Sequence, residues 1–176
     1  MPDHRRFGDD RADPDQCERL PRDIGGAKRM TTIRKLTADD YDQWHPLWRG
    51  YNDFYRADVP DEVARQSFGR MVAEQDGMMG LVAENAAGNL IGIAHLVFHP
   101  STWTDGVYCY LEDLFISRNA RGTGAGKALI EAVYAHADQR GDVARVYWTT
   151  QEFNAPARSL YDQVAKRTSF IRYQRV

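Results

Sequence analysis

Tyr110-Leu-Glu-Asp-Leu-Phe-Ile-Ser-Arg-Asn-Ala-Arg-Gly-Thr-Gly-Ala-Gly126 is the stretch whose reading decides the fold. It begins as an apolar strand, passes through a short polar link and ends in a glycine-dense turn. A helix pattern follows in Lys127-Ala-Leu-Ile-Glu-Ala-Val133. Glycines at 122, 124 and 126 remove β-carbons where the backbone must turn sharply and where a ligand must come close. The next helix aims its first unpaired N–H groups and its positive dipole end back at that turn. Strand, turn and helix N-terminus together predict an anion site suited to a phosphate or pyrophosphate.

The pattern excludes two common phosphate sites. A nucleotide P-loop reads G-x-x-x-x-G-K-[ST]; here Ala128 stands at the hydroxyl position and Arg121 at the first glycine. A Rossmann turn has its glycines as G-x-G-x-x-G and an acidic residue at the end of the next strand; here the glycines alternate and the next strand ends in Thr149-Thr150. Arg121-Gly-Thr-Gly-Ala-Gly126 instead fits R-x-x-G-x-G. With Tyr110 to Ile116 upstream and Asn154, Ala157, Leu160 and Tyr161 downstream, it resembles the GNAT N-acetyltransferases. The closest likeness in motif is to the spermidine/spermine and fungal histone/polyamine-type branch. The resemblance runs from about Thr32 to the end.

Composition sets outer bounds. The chain has 176 residues, a length that favours one domain, and 43% of them are hydrophobic, enough for a core. A net charge of −2 gives no global field for nucleic acid or an anionic membrane. Cys17 and Cys109 show neither metal nor disulfide spacing, which agrees with a reducing cytosol. No apolar run approaches about 18 residues, so no membrane-spanning helix is expected. Residues 1–29 hold seven acidic side chains, seven basic ones, three prolines and three glycines, and read as a disordered tail or leader. Residues 30–176 read as a single domain.

Within that domain, Thr32 to Leu36 reads as a strand and Thr37 as the cap of a helix. Tyr41, Trp44, Leu47, Trp48, Tyr51 and Phe54 recur at helical spacing, and Pro46 should kink or divide the helix. Asp61 to Glu74 reads as a second helix with an apolar stripe of Val63, Phe68, Met71 and Val72. Leu81 to Glu84 and Leu90 to Phe98 form a hairpin around Asn85 to Asn89. His95 and His99 share one face; a packed or substrate-facing role outweighs metal binding, because no third ligand is marked. Val107 to Ile116 is the central strand. Simple alternation puts Tyr108, Tyr110, Glu112, Leu114 and Ile116 on one face, barring a bulge, and Asp113 on the other. Glu112 is then an acid in an apolar strand. Burial would raise its pKa and suit it to proton abstraction, unless it is a salt-bridged core carboxylate or an attractor for a cation. A helix from Gly124 to Gln139, a strand from Ala144 to Thr149, a helix capped by Asn154 and a closing strand from Phe170 to Val176 complete the chain.

The resemblance implies an α/β (α+β) fold: a mixed, mostly antiparallel sheet whose central parallel strands splay, flanked by helices. It implies acetyl-CoA as acyl donor, with no metal. The donor would lie on Leu114, Phe115 and Ile116, on the loop Arg121, Gly122, Thr123, Gly124, Ala125, Gly126 and Lys127, and near Asn154 and Tyr161. Tyr161 is implied as the general acid and Glu112 as a group beside the acceptor amine. Tyr51, Tyr55 and Trp103 read either as acceptor-pocket lining or as core and cover aromatics. Three functions compete: acetylation of a small-molecule amine of polyamine or amino-acid type, acetylation of protein lysines, and acyl-CoA binding without catalysis. The motif's leading implication is the first, in a cytoplasmic homodimer that binds neither nucleic acid nor membrane. After Tyr161 the chain departs from the family's Leu-Gly-Phe-like step with Val164-Ala-Lys-Arg167.

Overall fold

The computed structural model describes residues 31–175; the sequence reading of residues 1–29 lies outside them. Strands β1 (Thr32–Lys35), β2 (Met78–Glu84), β3 (Leu90–Pro100), β4 (Val107–Ile116) and β5 (Val143–Tyr147) form one sheet in that spatial order. Neighbours run antiparallel except β4 and β5, which are parallel. Helices α1 (Tyr41–Tyr55) and α2 (Asp61–Val72) follow β1; α3 (Ala125–Arg140) makes the crossover from β4 to β5, and α4 (Ala155–Val164) follows β5. This is the mixed α/β GNAT fold expected from the motifs.

The central strands β2 and β3 are buried on both faces and read as near-continuous apolar runs. On one face Leu81, Ala94, Leu96 and Leu111 meet Leu129 and Val133 of α3. On the other, Val82 and Ile93 meet Trp44, Leu47 and Phe68 of α1 and α2. Each buried aliphatic or aromatic side chain contributes about 1.5–3 kcal/mol of burial. Before α1, Asp40 accepts from the Thr37 N–H (2.8 Å) and hydroxyl (2.9 Å) and takes a two-pronged contact from Arg34 (2.7 and 2.8 Å). Arg34 holds the Asp40 carboxyl below the usual carboxylate range.

The structure corrects the sequence reading in several places. α1 is continuous through Pro46. The N–H that proline lacks would have answered the Asp42 carbonyl, and both residues are exposed, so water can take that role. The buried stripe of α2 is Ala64, Phe68 and Met71, and Val63 faces solvent. β2 begins at Met78 and passes through Gly80, where a β-carbon would sit 2.9 Å from Leu36. No closing strand forms: Lys166 to Arg175 lack regular structure, and Phe170, Ile171 and Tyr173 are exposed. Their alternating pattern meets no paired strand edge among the described residues.

Two departures from regularity shape the molecule's centre. Pairing of β4 with β5 runs from Val107 opposite Val143 to Tyr110 opposite Tyr147 and stops there. β4 continues to Ile116 while the chain after Tyr147 leaves the sheet, so the two strands part. The second departure is on the β3 side: His95 pairs with Asp113 and Leu96 with Leu111, which leaves Glu112 as the extra residue of a β-bulge. The bulge reverses the alternation. Cys109 and Leu111 before it, and Leu114 and Ile116 after it, all pack toward α3. Asp113 and Phe115 therefore turn toward α1, and Tyr108 and Tyr110 do not share a face with Leu114 and Ile116. The simple period-two reading of β4 was wrong at this point.

Candidate active site

The parting of β4 and β5 opens a cleft with two differently built sides. On one side the Arg121 loop enters α3. Gly122 (φ 76°) and Gly124 (φ 90°) take left-handed conformations that other residues rarely adopt. The Thr123 hydroxyl donates to the Ala120 carbonyl (2.7 Å) and pins the loop. The first helical bond runs from the Ala128 N–H to the Gly124 carbonyl (3.0 Å), which leaves the N–H groups of Ala125, Gly126 and Lys127 directed out of the helix end. Beyond Gly122 and Gly124 an added β-carbon would meet only open space, so the loop has room beside it for a ligand. The exposed Arg121 and Lys127 add positive charge there. These features fit a pyrophosphate.

Three residues on this side act differently from expectation. Gly126 serves packing: a β-carbon there would come 3.2 Å from Leu160 of α4. Phe115 packs its ring against α1, where Gly50 makes room for it, so its main chain alone is available to a ligand. Arg121 turns back on the strand end; its Nε donates to the Ile116 carbonyl (3.3 Å) and its guanidinium lies 5.9 Å from the Phe115 ring.

On the other side, α1 presents an aromatic ladder. Trp44 stacks on Trp48 (5.9 Å), Trp48 on Tyr51 (5.4 Å), and Tyr51 meets Tyr55 (4.9 Å). The last two reach the cleft. Burial raises the Tyr51 phenol, and Asp113 beside it raises it further. Burial also raises Tyr55, while the side chains of Thr150 and Asn154 pull the other way. The α1 ladder is thereby joined to the segment between β5 and α4, where the Asn154 amide donates to the Thr150 hydroxyl (3.2 Å). Asn154 occupies the position before α4 without capping it through its side chain.

Tyr161 stands edge-on to Trp148 (5.3 Å), and burial, with Tyr55 adding, pushes its phenol up to about 12. Glu112 is exposed as a residue, yet partial burial of its carboxyl raises its pKa, with the Asp113 charge adding. Tyr110 stacks on Tyr147 (5.0 Å) and shares a hydrogen bond with Thr149 (3.2 Å). The structure thus brings Tyr51, Tyr55, Asn154 and Tyr161 together and sets Glu112 beside Asp113. It does not bring Trp103, which is 73% exposed under Arg145 near the Val107 end of β4.

Sequence reasoning passed over a hydrogen-bonded chain beneath this site. The Trp44 indole N–H donates to His95 Nε2 (2.9 Å), and His95 Nδ1 pairs with Asp113 Oδ2 (2.9 Å). All three residues are buried. His95 was read as packed or substrate-facing; its partner was invisible because the bulge carries Asp113 to its side. His99, on the same strand face, bonds the Tyr147 hydroxyl (3.0 Å).

Comparisons with known proteins bear on the family and the fold. The model of the Acetyltransferase (GNAT) family matches residues 43–165. Over 144 residues the chain is 35% identical to a D-amino-acid N-acetyltransferase of Saccharomyces cerevisiae, a match covering 81% of this chain and 89% of the yeast protein. A solved ribosomal-protein-alanine N-acetyltransferase from Brucella melitensis has a similar fold, with TM-score 0.70 and 21% identity over 84% of this chain and 99% of that one. An aminoglycoside N-acetyltransferase solved with CoA gives TM-score 0.71 at 18% identity, over 84% and 95%.

Proposed function

The chain belongs to the GNAT acetyltransferase family, and from that premise we propose that it moves the acetyl group of acetyl-CoA onto the primary amine of a small molecule, of amino-acid or polyamine type, by direct attack in a complex of both substrates. One observation carries this reading: β4 and β5 part after Tyr110 and Tyr147, beside the glycine-rich start of α3. The amino-acid class draws support from the yeast relative, whose name gives D-amino acids as its acceptors. The polyamine class draws on the motif resemblance.

In this mechanism the loop from Arg121 to Lys127 takes the pyrophosphate, and the backbone of Leu114 and Ile116 pairs with the pantetheine amides like an added strand. The acceptor arrives mostly as an ammonium, since simple amines have pKa values near ~10. Glu112 removes the proton, directly or through water; its raised pKa makes it a stronger base than an ordinary carboxylate. The amine attacks the thioester carbonyl, whose oxygen takes charge and accepts from a main-chain N–H of β4. Tyr161 keeps its proton at working pH and passes it to the sulfur as the C–S bond breaks, and the second proton of the attacking nitrogen returns to the Tyr161 oxygen through water. A covalent enzyme intermediate is disfavoured. Cys109 lies in the core against α3, and burial pushes its thiol up to about 11.

The test is acetyl-CoA-dependent thiol release over a panel of D- and L-amino acids, polyamines, aminoglycosides and a lysine-rich peptide. Turnover with one small-amine class is expected. Turnover with the peptide alone would replace this reading with protein acetylation, and silence across the panel with acetyl-CoA still binding would leave a binding domain.

A further inference from the structure

We propose that Asp113 is the receptor for the acceptor's ammonium group and that Trp44 and His95 hold it in orientation; the proposal rests on the amine-acetylation reading above. An indole N–H can only donate. Its 2.9 Å bond to His95 Nε2 therefore fixes Nε2 as an acceptor, without a proton. The ring's one hydrogen sits on Nδ1 and is donated to Asp113 Oδ2 at 2.9 Å. His95 thus gives Asp113 a hydrogen bond and no positive charge. Among the described residues no Lys or Arg side chain forms an ion pair with Asp113.

A carboxylate left 8% exposed, with neutral partners only, is costly unless a cation completes it. Here the missing cation has a place to come from. The bulge at Glu112 turns Asp113 toward the C-terminal end of α1, beside Tyr51, and its side chain keeps 11% exposure. Its charge is felt by Glu112, Tyr51 and Tyr55, the groups that line the acceptor side. A carboxylate has about four acceptor positions, so His95 and Tyr51 leave room for two N–H bonds from an ammonium. Asp113 then anchors the amine, while its exposed neighbour Glu112 takes the proton. Fixed anchor and titrating base are adjacent residues separated in role by one bulge.

The test compares two probes on the CoA-loaded protein by calorimetry: D-methionine and its 2-hydroxy analogue, which lacks the ammonium. The wild-type protein is expected to prefer D-methionine by about tenfold or more, the scale of a hydrogen bond to a charged group. Asp113→Asn keeps the acceptor oxygen for His95 and should reduce that preference to about threefold or less at unchanged CoA affinity, which also reports a folded protein. His95→Asn, whose amide N–H replaces Nδ1–H, should retain most of the preference, and His95→Leu should lose it. An undiminished preference in Asp113→Asn, or none in the wild type, overturns the proposal. Thiol release by the wild-type protein over the amine panel decides the underlying reading separately, so turnover with an unchanged Asp113→Asn ratio refutes this proposal alone.

Discussion

The proposed donor side of the cleft is made of main chain and the proposed acceptor side of side chains, and this difference in material governs what each side tolerates. The Arg121 loop needs two left-handed glycines and a helix start; few of its side chains are buried. The acceptor wall needs Trp44, His95, Asp113 and Tyr51 in contact, drawn from α1, β3 and β4. The first is a local structure. The second exists only when the whole sheet is assembled, and it doubles as core.

The largest effect should therefore come from the acceptor wall. Trp44→Ala removes a side chain only 1% exposed and leaves His95 Nε2 without its donor. Denaturant unfolding should show a loss of about 3–5 kcal/mol; a loss below about 1 kcal/mol would mean the wall is not part of the core. Next in size is Tyr161→Phe. It removes the proposed proton donor and leaves the ring against Trp148, so kcat should fall about tenfold or more at unchanged acetyl-CoA affinity. Equal turnover would take the acid role from Tyr161.

Gly124→Ala probes the opposite side. Its φ of 90° strains any L-residue by about 1–2 kcal/mol. The KM for acetyl-CoA should rise about fivefold or more while the KM for the amine stays put. A rise in both would show that the two sides are not separable. The smallest change expected is one of shape. As the proposed base, Glu112 must be deprotonated, and its pKa is raised, so the wild-type rate should climb with pH at higher values than an ordinary carboxylate would give. Glu112→Gln should flatten that limb; an unaltered pH–rate profile would show that another group or a water chain is the base.

The same contrast explains what could be read from the sequence. Gly122, Gly124 and Arg121 sit in one short run between strand and helix, and their spacing encodes the loop without reference to the rest of the chain. The aromatic stripe from Tyr41 to Tyr55 was equally plain, because 3.6-residue periodicity is local. Tyr108 and Tyr110 were put on the face of Leu114 and Ile116 because a strand's two-residue period cannot register an inserted residue. The Glu112 bulge appears only when β3 is laid beside β4. The same limit hid the bond from His95 to Asp113, two residues 18 positions apart. Phe170, Ile171 and Tyr173 carried a strand's composition, but a strand also requires an edge to pair with, which composition does not specify. In α2, Ala64 outranked the larger Val63 at the interface because the close approach there selects a small residue; it is 1% exposed.

The most direct test of the account is an initial-velocity matrix in which acetyl-CoA and the responsive amine are varied together. Direct transfer between two sides of one cleft predicts double-reciprocal lines that intersect, with acetyl transfer retained in Cys109→Ala. Parallel lines, with an acetylated protein trapped in the absence of amine, would contradict it.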